Sequence, residues 1–342
     1  MGNASDEAGT SFVFGEDGFF LDPFGQPCVL MGVVEFSKFC LHLDALFESP
    51  LGRKLIYAAT DAEERIISSH PSVQFGRWFG KSKAKYRLQQ RAMEMGWGEF
   101  GEVSVSGPAH DALTVGFSLA HHEHISQQRA NVEWNQVNAD MIRLQFATKN
   151  ENITPAPSPP HLPWFGSEHQ GLSSSFLKIE LDRRASSFFY GDERSFFLSS
   201  HVFWNLFGSL LGRPLSEDFT AQFTLEMDES IEHPSAFRAV IFAASQAFEA
   251  NERPVYVLSA GDWEGHFAER LTKRGFGRVR VEQSILDEET SLFSVHSPVA
   301  PVAIGLLIGM WQRAHGMVGE VKVELVSDAL LVRISPRRVD YT

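Results

Sequence analysis

The chain has 342 residues, with 30 Lys and Arg against 43 Asp and Glu and a formal charge of −13. That balance argues against a nucleic-acid or anionic-membrane binder, since both partners reward positive charge, and the length suits two domains of about 150 to 170 residues. Its cysteines, Cys28 and Cys40, lie in apolar sequence without CxxC spacing, which predicts reduced thiols and a cytoplasmic setting.

The opening, MGNASDEAGT, lacks the basic and apolar regions of an export signal, and Ser5 comes one position early for the myristoylation pattern. From Phe12, FVFGEDGFFLD alternates around Asp17-Gly18 as a hairpin does. Phe36, Phe39, Cys40, Leu43, Leu46, Phe47 and Leu51 then recur at three- and four-residue spacing, predicting an amphipathic helix stopped by Pro50-Leu51-Gly52. KLIYAA after it reads as a strand, and Thr60 with Glu63 as a capping box opening a helix that ends before Pro71. A further helix is predicted from Lys81 to Met95 with Gly96 as its stop. Strands follow near Glu99 to Ser106 and Ala112 to Leu119, then a His-rich polar segment, then a strand through Ile142, Leu144 and Phe146.

ITPAPSPPHLPWFGSEHQG, Ile153 to Gly171, has prolines too closely spaced for helix or ladder and predicts an extended linker. Beyond it FLKIEL and SFFYGDERSFFL predict strands, and Phe203, Leu206, Phe207, Leu210 and Leu211 mark one face of a helix. Phe219 to Met227 alternates as a half-buried strand. Ser235 to Ala250 reads as a helix, PVYVL as a short strand, and Asp262 as the cap of a helix carrying Trp263, Phe267 and Leu271. Two strands run to Ser297, which suits the N-cap of the apolar helix VAPVAIGLLIGMWQRAHG; Arg313 and His315 lie at its negative end and Gly316 stops it. That helix is too short and too closely flanked by charge to span a bilayer. A hairpin turning at Ser327-Asp328 closes the chain.

Two stretches recur. LFESPLGRKL from Leu46 matches LFGSLLGRPL from Leu206 at seven of ten positions, an offset of 160, and GWGEFGEVSV from Gly96 precedes GFGRVRVEQS from Gly275 by 179, an offset that Leu113 and Ser118 keep to Leu292 and Ser297. Such self-similarity points to duplication. The expected fold is α/β (α+β): two tandem homologous domains, each an antiparallel sheet packed against helices, over residues 1–152 and 172–342 with a linker at 153–171.

GFGRVRVE, GLLIGMWQRAHG and EVKVELVSDALLVRIS together resemble the 4-vinyl reductase domain and its TRAPP-like relatives, best over Leu271 to Ser335. The resemblance implies helices on an antiparallel sheet, used to bind small apolar or aromatic ligands or to build assemblies through helix faces. Related sensor domains carry cysteine metal ligands near the closing hairpin, where this chain has none.

Four constellations could carry chemistry. His121, His122 and His124 beside Glu123 are metal-ligating types, although HEHIS is not HExxH. GRWFGKSK from Gly76 is one residue short of phosphate-loop spacing. Arg77, Lys81, Lys83, Lys85, Arg87 and Arg91 form a basic run suited to an acidic partner, and Gly305 and Gly309 clear a stripe for close helix approach. Phe203, Trp204, Phe207, Trp311 and His315 are candidates for an apolar ligand pocket anchored by His315. Asp262, Glu264 and His266 add no catalytic set, and no GxSxG or dinucleotide fingerprint occurs. The reading therefore leans away from an enzyme, towards an assembly or adaptor protein that self-associates or recruits a protein partner. Its alternative is binding, sensing or carriage of a small apolar, aromatic or tetrapyrrole-like ligand, with reductase-linked chemistry as an extension. No cofactor is required by the motifs, with metal and tetrapyrrole as the two classes left open.

Overall fold

The computed structural model describes residues 12–15, 18–75, 80–149, 151–160, 164, 182–184, 187–216, 224–285, 289–327 and 329–337. The glycine turn at 76–79, the strand expected at Phe176 and most of that expected from Phe219 lie outside them.

A continuous apolar run makes a strand that needs cover on both faces. Two such runs, β3 (Pro27–Gly32) and β10 (Glu193–Ser199), lie side by side, paired antiparallel from Gly32 opposite Ser195 to Cys28 opposite Ser199. Outside β3 lie β2 (Phe20–Leu21) and β1 (Val13–Phe14); outside β10 lie β9 (Ser187–Tyr190) and β8 (Asp182–Arg184). This six-stranded sheet therefore draws three strands from each side of the proline-rich segment.

Each inner strand runs straight into a helix. After β3 come α1 (Val33–Ala45), α2 (Lys54–Ser69), α3 (Gly80–Glu94), β4 (Glu99–Phe100), β5 (Ser104–Ser106), α4 (Asp111–Ser126), β6 (Ala130–Asn138) and β7 (Met141–Thr148). After β10 come α5 (Ser200–Leu210), β11 (Leu225–Met227), α6 (Pro234–Glu249), α7 (Ala260–Arg270), β12 (Arg278–Ile285), β13 (Thr290–His296), α8 (Ala300–His315), β14 (Gly319–Val326) and β15 (Ala329–Pro336). Apart from β11, which pairs parallel with β14, the order of elements is the same twice. The two outer sheets also match, as β4-β5-β7-β6 and β11-β14-β15-β13-β12. The fold is α/β, with mainly antiparallel sheets packed against helices.

Helix packing crosses between the halves. Within each half the last helix lies on the second, α4 on α2 and α8 on α6; the first helix of each half instead packs on the second helix of the other, α1 on α6 and α5 on α2. Glycine permits the close contact: a Cβ at Gly116 would stand 2.5 Å from the Ile56 carbonyl oxygen, and one at Gly305 would stand 2.3 Å from that of Ile241. Gly309 similarly faces Phe248 of α6. The stripe expected to admit a partner helix is thus occupied from within the chain.

The repeated decapeptides meet. Ser216 N–H donates to Leu46 O at 2.9 Å, Phe47 bridges Leu215, and the Arg213 guanidinium lies 5.4 Å from the centre of the Phe47 ring. Leu46 ends α1 whereas Leu206 lies inside α5, so one copy of the motif stays helical where the other does not. The offset of 179 aligns Gly96 with Gly275, both left-handed at φ 74° and 80°. It fails for Leu113 and Ser118, which lie on α4 while Leu292 lies on β13. There the matching pair is Gly116 and Gly305.

Several local expectations change. KLIYAA belongs to α2, whose Ile56, Ala59, Ala62, Ile66 and Ile67 are buried at helical spacing; a short apolar run does not separate helix from strand. Thr60 is no cap, since its hydroxyl donates to Ile56 O and Gly116 O inside the bundle. Ala112 to Leu119 is helical in α4, not a strand. Pro254 to Leu258 alternates, with Val255 buried and Tyr256 77% and Leu258 88% exposed, yet joins no ladder. Side chains serve its backbone instead: His266 and Arg270 donate to the carbonyls of Tyr256 and Pro254. Val299 rather than Ser297 precedes α8, and the Ser297 hydroxyl accepts from Val299 N. Residues 151–160 form neither helix nor strand, and Trp164 buries its ring against Phe237 and Phe207.

Adding one methyl at a glycine contact tests the crossing. Alanine favours a helix over glycine by about 1 kcal/mol, but overpacking against a backbone oxygen costs about 1–3 kcal/mol. Gly116→Ala and Gly305→Ala should each lower the urea midpoint, whereas Gly265→Ala, facing open space on α7, should raise it.

Candidate ligand site

The His-rich segment forms the last turns of α4, where neighbouring residues point about 100° apart. His122 therefore leaves the helix on a different side from His121 and His124, which lie about 60° apart and reach different partners. His121 Nε2 donates to Glu63 Oε1 of α2 at 3.1 Å. His124 Nε2 donates to the Val73 carbonyl at 2.9 Å. His122 stacks on Phe146 of β7, with ring centres 4.2 Å apart. Among the described residues no group of three or more His, Cys, Asp or Glu could hold a metal ion.

His121 adjoins a buried ionic cluster. Arg91, fully buried on α3, donates from Nη1 to Asp22 Oδ2 at 2.8 Å and from Nε and Nη2 to the two oxygens of Glu63 at 2.8 and 3.2 Å. The other oxygen of Asp22 accepts from the N–H groups of Phe24 and Gln26. Burial alone would raise Glu63, but Arg91 and the His121 hydrogen bond outweigh it and hold the carboxyl at about 2. Arg91 is therefore removed from the basic surface face, where sequence spacing had placed it. Lys81 and Lys83 remain exposed, Lys85 pairs with Glu102, and Arg87 pairs with Glu94.

Above this cluster α3, α4 and the β4-β5-β7-β6 sheet border a half-open cavity of about 390 Å³. Phe100, Phe146, Leu88 and Leu144 supply apolar wall, and Lys85 and Glu102 also line it. Ser118 and His122, four residues apart on α4, face it together. The Ser118 hydroxyl and His122 Nε2 are buried and have no hydrogen-bond partner. An unmade bond of this kind costs about 1–3 kcal/mol. Burial pushes His122 below the usual imidazole value against the opposing pull of Glu123, so its ring is neutral at pH 7, with one nitrogen donating and one accepting.

The aromatic residues singled out in the second half are divided. Phe203 packs on Phe36 and Phe39, Phe207 faces Trp164, and Trp204 donates from Nε1 to Pro298 O at 2.9 Å. The gap that Phe203 and Phe207 share with Pro301 and Val302 is only about 10 Å³, and Trp204 does not line it. Trp311 and His315, with ring centres 4.5 Å apart, lie near the other end of α8, roughly 14 Å along it by helical rise. Trp311 is fully buried.

Aligning the halves shows larger side chains at the corresponding places of the second. The offset of 179 places Phe267 at the position of Leu88, and the offset of 189 from Gly116 to Gly305 places Leu307 and Trp311 at those of Ser118 and His122. All three larger residues are buried. Ser118 and the adjoining cavity escaped sequence reading because Ala112 to Leu119 was read as a strand. As a helix, its i, i+4 spacing sets Ser118 beside His122.

Removing one member of a buried ion pair costs about 3–5 kcal/mol, so Arg91→Met should lower stability by about that amount in urea unfolding. Because the Glu63 carboxyl is depressed on folding, its contribution is complete above the ordinary 4.5 and is lost as pH falls towards about 2. Unfolding midpoints measured across that interval should drop less steeply in Glu63→Gln. Compared with known proteins, the chain matches no family model, no curated protein and no solved structure.

Proposed function

We propose that the first half of the chain binds a small, flat, mainly apolar molecule that carries a hydrogen-bonding group. The observation supporting this is the pairing of apolar wall with two unspent polar atoms, Ser118 Oγ and His122 Nε2, in one cavity of ordinary ligand size. A hydroxyl on the ligand satisfies both, donating to one and accepting from the other, since a serine hydroxyl and a neutral imidazole nitrogen can each take either role. A cavity of about 150 Å³ accepts benzene, so about 390 Å³ suits a molecule of two or three rings better than a tetrapyrrole. Of the two readings open from sequence, ligand handling is thus better supported than assembly, which keeps Lys81 and Lys83 as exposed basic contacts but loses Arg91, Gly305 and Gly309 to the interior.

1-Naphthol fluorescence provides the test. The wild-type protein should bind it saturably. Ser118→Ala with His122→Phe should weaken binding roughly tenfold, about the worth of one or two neutral hydrogen bonds. Ser118→Leu, copying the second half, should abolish binding while leaving the thermal unfolding midpoint unchanged or raised. Affinity should hold across neutral pH and fall below 6.5, where His122 takes up a proton. Equal affinity of all three proteins would refute the assignment.

A further inference from the structure

Away from that cavity, three guanidinium groups crowd a small cleft where the halves meet. Arg253 follows α6, Arg270 ends α7, and Arg274 lies in the turn after it; Glu35 of α1, Asn251, Phe248, Leu306 and Met310 complete the walls. Arg274 is engaged through all three of its nitrogens, reaching both Glu35 oxygens and donating from Nε to the Leu30 carbonyl. Arg253 pairs with Glu193, which lies against Gly32. Lys38 approaches from α1 and is held by Asn251 Oδ1 at 3.2 Å.

Arg270 differs from its neighbours. Its Nη2 donates to Pro254 O at 2.8 Å and its guanidinium lies 5.6 Å from the Phe248 ring centre, but among the described residues no carboxylate is within ion-pair distance. Of five N–H donors on an arginine, one is spent on that carbonyl. The charged groups lining the cleft are therefore Arg253, Arg270 and Arg274 against Glu35, with Glu193 paired to Arg253 and Lys38 held on Asn251 beside it, a local surplus of positive charge in a chain of net charge −13. Burial and the neighbouring arginines lower both Arg253 and Arg270, in keeping with repulsion that the two carboxylates leave uncancelled.

We infer that this cleft is a binding site for a small oxyanion, a phosphate group, with Arg270 as its principal contact and Arg253 as the second. A planar fork of donors suits phosphate oxygens better than a monatomic ion. The space between the walls, about 10 Å³, admits one oxygen-sized atom. The rest of the anion stands at the mouth, over Arg270. Bound there, the anion joins the end of α7 to the segment that follows α6 and stabilises the folded chain by linkage.

Thermal unfolding of the full chain in phosphate, compared with sodium chloride at matched ionic strength, tests the site. A midpoint raised by about 2 °C in 10 mM phosphate, as a millimolar affinity predicts, and absent in chloride is the expected result. Arg270→Gln should remove the increment and weaken calorimetric phosphate binding at least tenfold. An equal increment with glycerol phosphate would support the phosphate group of a larger molecule as the ligand; an increment with inorganic phosphate alone would support the free ion. Equal midpoints in chloride and phosphate, or an undiminished increment in Arg270→Gln, would overturn the inference. Should the variant not fold, the wild-type comparison of the two salts decides it.

Discussion

The antiparallel contact between β3 and β10 is the constraint on which the remaining architecture rests. Both strands are buried on both faces over most of their length, so neither suits a sheet edge or a face in water. Each finds in the other a ladder partner that its own half does not supply. The helices that follow are then committed: α1 and α5 leave the inner strands on courses that carry each over the second helix of the opposite half. Trp97 adds to the same seam, donating from Nε1 to the Phe197 carbonyl of β10 at 2.7 Å while stacking on Phe117.

Around that centre the halves share a plan and differ in what fills it. At three corresponding places Leu88, Ser118 and His122 stand opposite Phe267, Leu307 and Trp311. Interiors pack to near-crystalline density, and a few missing ring-sized groups leave space that neighbouring rigid elements do not close. The same elements that bury larger side chains in one half therefore border a cavity in the other. Polar replacements inside it leave Ser118 and His122 unsatisfied, a state that is costly without a bound molecule.

Beneath the cavity, Asp22, Glu63 and Arg91 are buried where charges are expensive to place. Their hydrogen bonds join the first hairpin, α2 and α3, and the His121 bond brings α4 into the same cluster. Such a network holds the cavity floor in place while contributing little surface of its own. Its members are distant in sequence, and Arg91 and Glu63 each sit among other charges of the same type, so no local pattern distinguishes them.

The repeat, the proline-rich break, the α/β class and most helices were legible from residue order, because spacing of apolar residues and placement of glycine act over a few residues. KLIYAA and Ala112 to Leu119 were misread because short apolar runs suit either period, and their neighbours α2 and α4 settle the matter by packing on each other. By itself the sequence determined that two similar runs of elements exist and roughly where each begins. Tertiary structure alone decided that the two share a central sheet, that Gly305 and Gly309 face α6, that Arg91 lies inside, and that Ser118 and His122 border a common space. Those are contacts between residues far apart along the chain, and a linear pattern carries the capacity for burial without naming the partner.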